Sequence, residues 1–97
     1  REGDRLVRWG GEEFVVFCAQ TGIDQAVDLA DRLRTRVENH SWLHGGELTC
    51  SIGIAQMENE RVTETVSRAD EALYRAKRLG RNRIEVHYGL KTQAKAQ

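Results

Sequence analysis

Two adjacent glycines, Gly10 and Gly11, run directly into two adjacent carboxylates, Glu12 and Glu13, in the stretch RWGGEEF at 8–14. Paired acids repel each other unless a cation lies between them. Carboxylate oxygens at an exposed turn suit a hard cation such as Mg²⁺, which takes a few protein oxygens and completes its shell with substrate phosphates. The glycines allow a ligand to meet the backbone directly. A solvated acidic turn is the plainer alternative. A second constellation lies in YRAKRLGRNR at 74–83, where Lys77 and Arg81 stand four residues apart beside a helix-breaking glycine. Two such cations can hold a polyphosphate. Cations at the end of a helix also complement its dipole, which is a sufficient structural reason for them.

Other residues with chemical potential carry weaker signals. His40 and His44 form an HxxxH pair, but that spacing binds zinc only on a helix, and these lie near or past a helix end. His87 closes a strand-like run. Cys18 and Cys50 sit in apolar strand-like runs without a CxxC or metal spacing. They read as buried free thiols of a reducing compartment.

Elements that position these residues emerge from periodicity. Leu6–Trp9 and Phe14–Cys18 read as two strands of a hairpin turning at Gly10-Gly11. Thr21 and Asp24 resemble a capping box. Ile23, Ala26, Val27, Ala30, Leu33 and Val37 then keep helical spacing, leaving Asp24, Asp28, Asp31 and Arg32 wet. ELTCSIGIA alternates, with Leu48, Cys50, Ile52 and Ile54 toward a core and Thr49, Ser51, Gly53 and Ala55 where something approaches closely. Val66, Ala69, Leu73 and Ala76 predict a second helix over about 63–79, with Gly80 at its C′ stop. RIEVH gives a last strand. Residues beyond Gly89 have no pattern and read as a loose tail. The order strand, strand, helix, strand, helix, strand predicts an α+β or α/β sandwich, with helices on a largely antiparallel sheet.

Composition bounds the rest. A chain of 97 residues makes one domain at most. Its formal net charge is zero, which argues against a nucleic-acid binder or a membrane-surface protein. No run of about 18 apolar residues exists to suggest a membrane-spanning helix, and the charged start is unlike a signal peptide. A start at Arg1-Glu2-Gly3-Asp4 without Met reads as that of a fragment.

Taken together, RWGGEEF, LTCSIGIA and RADEALYRAKRLGRNRI resemble the GGDEF domains, the diguanylate cyclases of bacteria, in the GGEEF form of their signature. The resemblance runs from Arg1 to about Val86. It implies a fold like the nucleotidyl-cyclase or polymerase palm. It implies a reaction in which two GTP molecules, on two domains facing each other as a homodimer, condense into cyclic di-GMP with release of pyrophosphate. Mg²⁺ or Mn²⁺ is the implied cofactor. Gly10 and Gly11 match the close approach to the nucleotide. Glu12 matches a metal-binding acid, and Glu13 the second acid, assigned to metal binding or to activating the hydroxyl. Lys77 and Arg81 match the cations that reach the triphosphate. Arg1 and Asp4 form an RxxD at the family's distance from the signature, matching an inhibitory product site, with Arg32 as a third member.

By the same resemblance, residues 1–88 are the C-terminal part of such a domain and 89–97 a flexible tail. The family's upstream metal-binding Asp and guanine-reading residues are not in this chain, so the chain alone is expected to be inactive. The parent would be a bacterial cytoplasmic signalling protein with a sensory domain, making no nucleic-acid contact and no direct membrane contact through this segment. The alternative is a non-catalytic receptor that binds cyclic di-GMP through Arg1 and Asp4.

Overall fold

The structure is a computed structural model. It describes residues 5–10, 13–17, 21–40 and 48–88, the first two stretches as backbone. The elements run β1 (Arg5–Gly10), β2 (Glu13–Phe17), α1 (Ile23–Asn39), β3 (Ile52–Ala55), α2 (Val62–Arg78) and β4 (Ile84–His87). This is the predicted order, and the fold is α+β.

The strands make two separate two-stranded sheets among the described residues. β1 and β2 pair antiparallel, as a short connection dictates. β3 and β4 pair parallel, from Ile52↔Ile84 to Ala55↔His87. The antiparallel expectation therefore holds for the hairpin and not for the second ladder. A helix joins β3 to β4, and such a crossover brings the chain back in the same direction.

α2 packs against β3 at backbone distance. A Cβ placed on Gly53 would lie 2.2 Å from the Ala69 carbonyl oxygen and 2.3 Å from the Leu73 nitrogen. The small residue thus admits the helix itself, as the alternation in ELTCSIGIA suggested. Ala72 and Ala76 are fully buried, one turn apart, and Val66, Ala69 and Leu73 are half-buried beside them. Among the described residues no large side chain is fully buried, so small side chains and close backbone approach form this core.

Some details differ from expectation. The strand begins at Ile52, and Leu48 is exposed instead of facing the core. Leu33 is exposed on α1, whose buried stripe centres on Ala30. α1 starts one residue late: Gly22 is its N-cap, and Gln25 Oε1 accepts from the Gly22 N–H at 3.4 Å. Gln25 therefore plays the reciprocal part expected of Asp24, with the longer side chain making the reach. His40 is the C-cap of α1, while His44 lies outside the described residues, as do Cys18 and the tail at 89–97. Cys50 is free and half-buried, and burial raises its thiol pKa against a smaller opposing effect of Arg34.

Candidate functional site

The hairpin carries the acidic signature. Arg8 pairs with Phe14 and Gly10 with Glu13, so Trp9 is an extra residue on β1 and the register shifts there. A bulge of this kind twists a strand and re-aims the residues beyond it. Glu13 opens β2 directly across from Gly10, which puts its backbone at the mouth of the hairpin. Gly11 and Glu12 lie outside the described residues, as do Arg1 and Asp4. Among the described residues, no group of three His, Cys, Asp or Glu side chains is placed to hold a metal.

The cationic pair sits at the end of α2. Lys77 lies in the last turn and is half-buried. Leu79 is the C-cap, and its N–H donates to the Arg75 carbonyl at 2.9 Å. Gly80 comes next with φ 126°, and the Arg81 N–H donates to the Ala76 carbonyl at 2.9 Å. That is the wide hydrogen bond of a Schellman ending, and it bears out the expected glycine stop. Arg81 is exposed just beyond it. The two cations thus both come from the end of α2, one from its last turn and one from its terminating loop.

Arg32 lies on the exposed face of α1, with its Nε 3.6 Å from Asp28 Oδ2. Both side chains are largely in water, where such a pair contributes little and leaves the guanidinium available. Arg34, two residues on, points elsewhere: it bonds Asp31 on its own helix and Asn82 beyond α2.

Sequence reasoning missed a set of polar ties that fix the frame. Arg68 on α2 reaches the Gln56 carbonyl at 2.6 Å, the His87 carbonyl at 3.5 Å and the Glu60 carboxylate, joining the ends of β3 and β4. The Arg68 hydrogen bond is the main reason why the Glu60 carboxyl is lowered to about 2. Arg75 donates to Glu85 at 3.1 Å and to the Val86 carbonyl at 2.8 Å. His87 is buried, with its Nε2 2.9 Å from Glu71 Oε2. A depression of about 380 Å³ lies over Tyr74, Arg75, Arg78 and Leu79, but neither Lys77 nor Arg81 lines it. The only hint of these ties in the sequence was the density of arginine along RADEALYRAKRLGRNRI.

Comparison with known proteins sets these features in a family. A family model described as "Diguanylate cyclase, GGDEF domain" matches residues 1–83. The chain is 47% identical to diguanylate cyclase DgcM of Escherichia coli over 85 residues, covering 87% of this chain and 21% of that protein. It is 44% identical to diguanylate cyclase DgcP of Pseudomonas aeruginosa over 90 residues, covering 89% of this chain and 13% of that one. The chain therefore spans about a fifth or less of these two curated relatives.

Among solved structures, the active GGEEF domain of a diguanylate cyclase from Vibrio cholerae superposes with a TM-score of 0.81 at 29% identity, over 90% of this chain and 58% of that one. The GGDEF domain of DgcB from Caulobacter crescentus, in complex with c-di-GMP, superposes with a TM-score of 0.83 at 27% identity, over 92% of this chain and 55% of that one. With the family model matching residues 1–83, the chain belongs to the GGDEF domain family of diguanylate cyclases.

Proposed function

We propose that the chain is the C-terminal part, over residues 1–88, of a diguanylate cyclase catalytic domain that condenses two GTP into cyclic di-GMP in the bacterial cytoplasm. The observation that carries this reading is the bulged hairpin whose register sets Glu13 opposite Gly10. In each of two steps a ribose 3′ hydroxyl attacks the α-phosphate of the other GTP, and pyrophosphate leaves. Glu12 and Glu13 offer hard carboxylate oxygens, a donor set that fits Mg²⁺ or Mn²⁺. When bound, such an ion lowers the pKa of the attacking hydroxyl and offsets charge on the phosphates. Gly10 and Gly11 leave room for the nucleotide to lie against backbone. Lys77 and Arg81 hold the triphosphate with charge-assisted hydrogen bonds, Arg81 from its exposed place after the helix stop. Two domains must meet face to face, so the working unit is a dimer.

Arg1, Asp4 and Arg32 form an inhibitory product site in the same reading, supported by the exposure of the Arg32 guanidinium. Retention of Glu12 and Glu13 favours the enzyme over a receptor that only binds cyclic di-GMP. The test is Glu13→Gln in a protein that carries this chain within a complete domain. Cyclase rate should fall by roughly 100- to 1,000-fold or more, with a melting temperature close to that of the parent, because a charge at an exposed turn contributes little to folding. Activity within tenfold of the parent would overturn the assignment.

A further inference from the structure

We infer that Asn82, gripped by Arg34 and Glu38 of α1, is the positioning residue that fixes Arg81 for the triphosphate. This rests on the role of Arg81 proposed above. Three consecutive residues after α2 take positive φ: Gly80 at 126°, Arg81 at 63° and Asn82 at 45°. Glycine does so freely. Arginine does so only where its surroundings over-determine the backbone, and asparagine tolerates it better.

The surroundings here are specific. The Arg81 N–H donates to the Ala76 carbonyl at 2.9 Å, and the Asn82 N–H donates to Ser51 Oγ at 3.1 Å. The Asn82 side chain then works in both directions. Its Oδ1 accepts from Arg34 Nη1 at 3.0 Å, and its Nδ2 donates to Glu38 Oε2 at 2.6 Å. A primary amide presents an acceptor to the cation and a donor to the anion at once. An aspartate would set a second carboxylate against Glu38.

Arg34 is itself held. Its Nη2 and Nε lie 3.0 and 3.2 Å from Asp31 Oδ1, and its Nη1 lies 3.5 Å from Glu38 Oε1. A cation anchored on its own helix thus reaches across 48 positions of sequence to the loop that presents Arg81. One residue later, the Arg83 carbonyl accepts from the Ile52 N–H at 2.9 Å, and the ladder begins. The loop is clamped on both sides of Asn82, so the Arg81 backbone is set before any phosphate arrives. A guanidinium on a fixed backbone gives up less freedom on binding.

The experiment is a cycle of steady-state GTP kinetics in a complete cyclase carrying this chain. Asn82→Gly keeps the left-handed backbone accessible and removes both side-chain bonds. Arg34→Ala removes the clamp without touching the loop, and Arg81→Ala removes the proposed contact. With Arg81 present, Asn82→Gly and Arg34→Ala should each raise KM by about fivefold with kcat within about twofold. In the Arg81→Ala background neither should change KM further.

Equal effects of Asn82→Gly in both backgrounds would overturn the inference, since the residue would then act on the fold at large. So would an unchanged KM for Asn82→Gly where Arg81→Ala raises it. If Arg81→Ala itself leaves KM unchanged, the fault lies in the assignment of Arg81, and the positioning role falls with it. Should Arg34→Ala fail to fold, Asn82→Gly decides the matter alone.

Discussion

Lys77 and Glu60 make opposite use of charge. Lys77 stands in the last turn of α2, where its charge complements the helix end whether or not a phosphate is present. Lys77→Ala should therefore cost a few tenths of a kcal/mol in stability, yet weaken GTP use by about 1.5–3 kcal/mol, the usual range for a hydrogen bond to a charged group. Steady-state kinetics beside a thermal melt separate the two, and unchanged GTP kinetics would overturn the substrate role of Lys77. Glu60 serves the fold. Its carboxyl is lowered from an ordinary 4.5 to about 2 by the Arg68 hydrogen bond first, with smaller help from the Glu58 N–H and the Thr65 hydroxyl against the cost of burial. A depressed carboxyl contributes stability that is fully present above about 4.5 and is lost as pH falls through about 2. The gap in melting temperature between the parent domain and Glu60→Gln should therefore be widest above pH 5 and shrink toward pH 2. A gap independent of pH would mean that the pair contributes nothing through ionisation.

At the scale of elements, the contact between β3 and α2 decides most. Any side chain at Gly53 must push apart the Ala69 carbonyl and the Leu73 nitrogen, which are backbone and cannot turn aside. Gly53→Ala should destabilise a complete domain by about 1–3 kcal/mol, the usual cost of overpacking. Urea denaturation measures it, and an unchanged midpoint would show that the helix slides freely. Much of this layer was legible in the sequence. Helical spacing and a glycine stop located α2 to within a residue at each end, because period and punctuation are local signals. The direction of the β3–β4 ladder was not legible, since alternation marks a strand without naming its partner. Leu33 and Leu48 read as inward by their chemistry, whereas Ala72, equally at home on either face, gives no such signal though it is fully buried. At the site, the acids and cations were visible as residue types. The clamp through Arg34 and Asn82 was not, because it joins residues 48 positions apart with no periodicity between them.

At the scale of the whole molecule, the described strands lie in two separate ladders, and a two-stranded ladder leaves unpaired N–H and C=O groups along its edges. Leu33, Tyr74 and Leu79 add exposed apolar surface. The 97-residue chain by itself should self-associate and make no cyclic di-GMP, since two acids alone do not complete the shells of two Mg²⁺ ions. Light scattering together with a GTP turnover assay tests both halves, and a stable monomer that converts GTP would overturn the expectation. The parallel ladder also has a meaning for synthesis. A hairpin is complete as soon as its second strand leaves the ribosome, so β1 and β2 can meet early. Ile52 must wait for all of α2 and its closing loop to be translated before Ile84 exists to pair with it. During that interval the notch at Gly53 has only the growing helix to fill it. The order of translation therefore favours docking of α2 on β3 first, with β4 zipped on last.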